Sequence, residues 1–223
     1  YKEKELNKGV LDEMKRGIGK LETKTGKKFG GGGNKLPLLL SVRSSAGIQM
    51  PGMLHTVLNL GMNTSVVQSL SERTDNPRWA MTTYVKFLET FGTTVMGVDP
   101  ARYEEVKDAV RNRKATPLDS LFTIEDLQEI VDKYSVIVAI PGDPLEQLQL
   151  CVGAAFKSWY SPQVAKYRDV NHIGENIGVA LVVQAMVFGN LNLLSGAGQV
   201  VTRNPSTGEK KLTGSYLANA EVG

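Results

Sequence analysis

The chain has 223 residues, 41% hydrophobic and 22% charged, with a formal net charge of +3, a composition that supports a packed core and excludes wholesale disorder. One cysteine, Cys151, excludes an internal disulfide, and one cysteine with two histidines cannot build a zinc cluster of the usual spacing. Residues 1–28 hold nine Lys or Arg against five Asp or Glu, so the remainder is close to neutral and no nucleic-acid partner is expected.

The elements follow in chain order. Leu6, Val10, Leu11, Met14, Ile18 and Leu21 recur at helical spacing among charges of alternating sign, which predicts a solvated amphipathic helix. That Lys/Glu-rich start lacks the apolar core of a signal peptide and no run reaches the length of a membrane span, so a soluble intracellular protein without membrane contact is expected. Gly30–Gly33 lacks the GK[ST] ending of a phosphate loop and reads as a flexible link. Leu38, Leu39, Leu40 and Val42 form a buried-strand run that ends at Arg43. Ser44, Ser45, Gly47, Pro51 and Gly52 then forbid regular structure and leave room for an anion such as phosphate. The spacing from Met53 to Leu60 predicts a helix closed by Gly61 as its C′ residue. On the residues alone Arg43 fits two descriptions, a cap or carboxylate partner inside the fold and a phosphate clamp.

Asn76 and Pro77 predict the N-cap and first turn of a core helix with Trp79, Ala80, Tyr84, Phe87, Leu88 and Phe91 inward, and with Lys86 and Glu89 off that face. Pro100 opens a charged helix to about Asn112 and Thr123 caps another, a pair read as a small helical lobe. Asp143-Pro144 with Glu146 starts a helix bearing Leu148, Cys151, Val152, Ala155, Phe156 and Trp159, and Ser161-Pro162 restarts it in a new direction. Val179 to Phe188 reads as one long, mostly buried strand interrupted by Gln184, whose amide would need backbone or ligand partners. A hairpin is expected from Gln199–Arg203 and Lys210–Leu217 around the turn Asn204–Gly208.

Several of these segments carry a resemblance. SVRSSAGIQMPGMLHTVLNLG, residues 41–61, resembles the SVRSGAxxSMPGMxDTxLNLG segment of the pyruvate, phosphate dikinase family. Asn76-Pro77-Arg78-Trp79-Ala80, Phe156-Lys157-Ser158-Trp159 and the segment Tyr167–Ile173 are similar to the family's NPRFA, FKSW and YRRxNxI, in the same order. VQAMVFGN, residues 183–190, and TRNPSTGEK, residues 202–210, are close to word-for-word matches. Phosphoenolpyruvate synthases share the fold and chemistry but are not expected to carry TRNPSTGEK.

The resemblance implies an α+β, ATP-grasp-like nucleotide-binding domain, incomplete and with a small helical lobe. Its parts would be an N-terminal helix and link (1–37), the first part of the core (38–96), the helical lobe (97–142), and core helices and strands (143–223). It further implies ATP with Mg²⁺ as ligand, and as partner a phosphohistidine domain of the same full-length enzyme. That enzyme converts ATP, phosphate and pyruvate to AMP, pyrophosphate and phosphoenolpyruvate. Arg43 stands at the family's phosphate-binding Arg, where a guanidinium fork suits phosphate oxygens. Lys86 stands at a second Arg and keeps the charge without the fork; Gln184 and Met186 lie on the strand expected near adenine. No catalytic or metal-ligating residue is assigned: the family's GGKGxNLAEM segment would precede Tyr1, and its Asp-x-Glu and Gln-x-Arg pairs would follow Asn219. Neither His55 nor His172 matches the phospho-acceptor, while Gln49, His55 and Ser215 depart from the pattern. This stretch alone is not expected to turn over. The alternative is a non-catalytic relative that binds a nucleotide or a partner. Family members are cytosolic or organellar, in plastids or glycosomes, and full-length ones are typically homodimers.

Overall fold

The computed structural model describes residues 6–31, 35–48, 50, 56–174 and 177–220. The chain is α+β, and its contacts divide it into two compact units, the described residues up to Met186 and those from Val187 onward. Among the described residues no helix is long and apolar enough to cross a membrane.

The first unit begins with α1, Lys8–Thr25. Asn7 caps it by accepting the Gly9 N–H at 2.8 Å, and Gly26 ends it in the left-handed conformation that glycine adopts without strain. Of the expected stripe, Ile18 is buried, Leu11, Met14 and Leu21 are half-buried and Val10 is exposed, as suits a helix on the surface.

Three antiparallel strands, β1 (Leu40–Ala46), β2 (Thr56–Leu60) and β3 (Val179–Ala185), form a sheet in the order β2-β1-β3. The helix expected up to Leu60 is therefore replaced, over its described part, by a strand. A short apolar run with gaps of two and three satisfies either period, and β-branched Thr56 and Val57 favour the extended form. Pairing decides it: Val57 and Leu60 sit opposite Val42 and Leu40 across a bulge. Gly61, at φ 100°, makes the turn out of β2 rather than a helix cap; a Cβ there would lie 2.7 Å from the Phe29 ring.

β3 also differs from expectation. It ends at Ala185, and its residues alternate between half-buried and exposed instead of being mostly buried. As an edge strand of a sheet packed on one face only, β3 can hide alternate side chains and no more.

The helices follow their caps. Asn63 begins α2 (Thr64–Thr74), a helix additional to those expected, by accepting the Val66 N–H at 2.9 Å. Asn76 begins α3 (Pro77–Thr94), Asp99 begins α4 (Pro100–Lys114), and Thr123 with Asp126 forms a reciprocal capping box at α5 (Ile124–Ile137). The α4–α5 pair packs on α3, with the Tyr103 and Tyr134 rings edge to face at 4.6 Å. Gly92 leaves room for that contact, since a Cβ there would come within 1.8 Å of the Tyr103 hydroxyl. Ions finish the pair: Arg111 donates to Asp108, Asp119 and Glu104, and the Lys114 ammonium, with Thr123 and Arg113, holds the Asp126 carboxyl well below the usual carboxylate range. Asp143 and Ser161 cap α6 (Pro144–Ser158) and α7 (Pro162–Val170).

The second unit is a hairpin of β4 (Gly196–Val201) and β5 (Thr213–Ala218). Asn204 shapes the turn by accepting the Ser206 and Thr207 N–H groups on its side chain. β4 starts earlier than expected, at Gly196, where a Cβ would be 2.1 Å from the Tyr216 hydroxyl; one at Gly198 would be 2.4 Å from the Ser215 carbonyl oxygen.

Candidate nucleotide-binding face

β1 runs through the middle of its sheet, so its two faces meet different surroundings. Leu40 and Val42 are buried on one face. There Val42, Ser44 and Val57 look across a cavity of about 10 Å³ at Thr94 of α3 and at Cys151 and Ala155 of α6. Space for one water at most is left. Burial pushes the Cys151 thiol up to about 12, so it stays protonated and unreactive in the folded chain.

The opposite face carries Arg43. It is exposed, and its Cα partners are Thr56 on β2 and Val182 on β3, both exposed too. Ser41, two residues back, pairs with Gln184, so Arg43 and Gln184 are diagonal neighbours on one face, about 8 Å apart by strand geometry. Among the described residues no carboxylate pairs with Arg43. Gln184 is exposed, and so is not the buried amide that the run Val179–Phe188 suggests.

Met186 lies one pleat beyond Gln184. Its N–H donates to the Leu39 carbonyl at 2.9 Å, and its Sδ accepts the Asn59 N–H at 3.1 Å, which fixes the half-buried side chain. Four residues separate Met186 from Val182, the partner of Arg43, or about 13 Å along the strand. Arg43, Gln184 and Met186 thus share one strip. Lys86 does not join them: it is exposed on α3, the helix whose end covers the face turned away from Arg43.

Asn59 is a participant that sequence reasoning missed. It is 2% exposed with φ 58°, and among the described residues its Oδ1 has no hydrogen-bond partner. The signal was an Asn before Leu-Gly at a strand end, since Asn tolerates the left-handed region better than most residues. His172, also left-handed at φ 54°, is exposed in the turn after α7, and Ser215 lies on β5 opposite Gln199. Gln49 and His55 fall outside the described residues.

Residues 2–221 match the family model described as the pyruvate phosphate dikinase AMP/ATP-binding domain. The chain is 43% identical to the chloroplastic pyruvate, phosphate dikinase of Mesembryanthemum crystallinum, over 98% of this chain and 23% of that protein. It is 41% identical to the pyruvate, phosphate dikinase of Rickettsia felis over 96% of this chain and 25% of the relative. For that of Clostridium symbiosum the figures are 40%, 98% and 26%. The chain spans about a quarter of the length of these curated relatives. With a family model matched over nearly its whole length, the chain belongs to the pyruvate phosphate dikinase AMP/ATP-binding domain family.

Proposed function

We propose that this chain binds ATP along the face that carries Arg43, as the nucleotide-binding part of a pyruvate, phosphate dikinase-type phosphotransferase. The observation that carries the reading is the strand register, which sets an exposed guanidinium with no described carboxylate partner beside Gln184 and, one pleat further, Met186. A strip of about 13 Å suits an extended nucleoside triphosphate. The polyphosphate lies at Arg43, whose planar fork accepts two phosphate oxygens at once. The purine lies toward Gln184, an amide able to donate and accept, and the polarizable Met186 sulfur. Lys86, in the layer behind, adds positive charge at long range.

In the whole enzyme the bound ATP would phosphorylate a histidine on a separate domain, and the phosphoryl group would pass on to pyruvate; a homodimer and a cytosolic or organellar location go with that reading. The reading of the fold as an incomplete ATP-grasp-like domain with a small helical lobe rests on the same kinship. Magnesium is the ion such chemistry uses. Among the described residues no three His, Cys, Asp or Glu side chains gather into a metal site, so these residues do not build one and no step is assigned to the ion.

The alternative, a nucleotide binder without phosphotransfer, draws on the placement of Lys86 away from Arg43. Calorimetric titration of the chain with MgATP tests what both share. A saturable heat with one-to-one stoichiometry is expected. A flat titration at millimolar nucleotide would remove the reading.

A further inference from the structure

Arg168 in α7 is 6% exposed, yet among the described residues its guanidinium has no carboxylate partner and its Nε has no acceptor. Its Cζ lies 4.7 Å from the ring centroid of buried Trp159, a cation–π stack that holds the group in one orientation. Trp159 belongs to a cluster with Met50 and Ile173 against which Ala46 and Val179 pack. Ala46 and Val179 are the last β1–β3 pair, three residues along from Arg43 and Val182, about 10 Å by strand rise.

A buried cation with no carboxylate partner among the described residues is expensive, and an apolar side chain of similar length would fill the same space at lower cost. What Arg168 adds over such a side chain is positive charge. Its place matters: the strands run on from Arg43 and Val182 to Ala46 and Val179, which by strand alternation turn to the other face of the sheet, and there the Trp159 cluster, with Arg168 stacked on its ring, packs behind the strand end. We propose that Arg168 is a second, buried cation of the polyphosphate end, which strengthens binding of the anion through its field without touching it. The inference rests on the nucleotide reading of the Arg43 face and deepens it. A charge acting through a low-dielectric cluster is weakly screened, which lets it act without contact.

The test compares wild type, Arg168→Met and Arg168→Lys for affinity toward MgATP, adenosine and inorganic tripolyphosphate, with thermal melts as a fold control. Arg168→Met, close in length and still able to pack on Trp159, is expected to lose about tenfold in affinity for MgATP and tripolyphosphate. It should bind adenosine as wild type does, and Arg168→Lys should recover most of the loss. A merely structural role would lower adenosine and ATP binding together, and that result overturns the proposal. So does equal binding of tripolyphosphate by wild type and Arg168→Met. If Arg168→Met does not fold, Arg168→Lys decides alone: near-wild-type MgATP and tripolyphosphate affinity supports the proposal and a tenfold loss overturns it. Wild type that takes up tripolyphosphate but neither adenosine nor ATP removes the nucleotide reading while leaving the buried cation to be judged by the tripolyphosphate arm. Wild type that takes up none of the three overturns both.

Discussion

Arg43→Ala is expected to weaken MgATP binding by about 10- to 100-fold, the range that follows from losing a charge-assisted, bidentate contact of about 1.5–3 kcal/mol. Arg43→Lys should recover only part of this, because an ammonium restores charge but not the fork. The chain should stay as stable as before, within about 0.5 kcal/mol, since Arg43 is exposed and none of its described neighbours depends on it. The loss should shrink as ionic strength rises, as the cation's attraction is screened. Calorimetry at two salt concentrations, with a thermal melt of each variant, reads all of these. A wild-type affinity in Arg43→Ala would mean that the anion is held elsewhere.

Gln147→Leu should be among the most damaging single changes to the fold. Gln147 is fully buried at 0% exposure, accepts the Gly61 N–H at 2.9 Å, and donates to the carbonyls of Met62 at 2.9 Å and Pro141 at 2.7 Å. One amide therefore joins α6 to the turn that ends β2. Leucine would fill the volume and leave three backbone groups without partners, at about 1–3 kcal/mol each when buried and unsatisfied. Because such costs overlap, a total of about 3 kcal/mol or more is expected, which for a chain of this size lowers Tm by about 10 °C. Gln147→Glu should be at least as damaging, since a carboxylate keeps the acceptor for Gly61 but sets a buried, unpaired charge against the carbonyls of Met62 and Pro141. Thermal melts by circular dichroism check the order; an unchanged Tm in Gln147→Leu would show that the turn finds other partners.

The helices were the legible part of this fold. Asn76, Thr123, Asp143 and Ser161 announce their helices because a cap is chemistry between residues two or three apart, and all four cap them in the structure, Asp143 by accepting the Leu145 N–H rather than through the capping-box pairing expected with Glu146. Strands were less legible because their state is decided by distant partners. Val57 and Leu60 became a strand when Val42 and Leu40 lay opposite, and Gln184 became exposed when β3 took the edge of the sheet. Arg43 could be singled out as a lone charge closing an apolar run, but whether it meets a carboxylate or an open face depends on register. Arg168 and Gln147 could not be found at all from spacing: each sits on a helix among other polar residues, and its burial comes from elements remote in sequence.

The most direct test of the central claim is residue-resolved: backbone and side-chain NMR shifts of the chain followed during titration with MgATP. The changes should centre on Arg43, Val182, Gln184 and Met186, with the Arg43 Nε–H moving most as phosphate engages the fork. Shifts confined to the α4–α5 pair or to the β4–β5 hairpin, with the Arg43 face silent at saturation, would contradict the account.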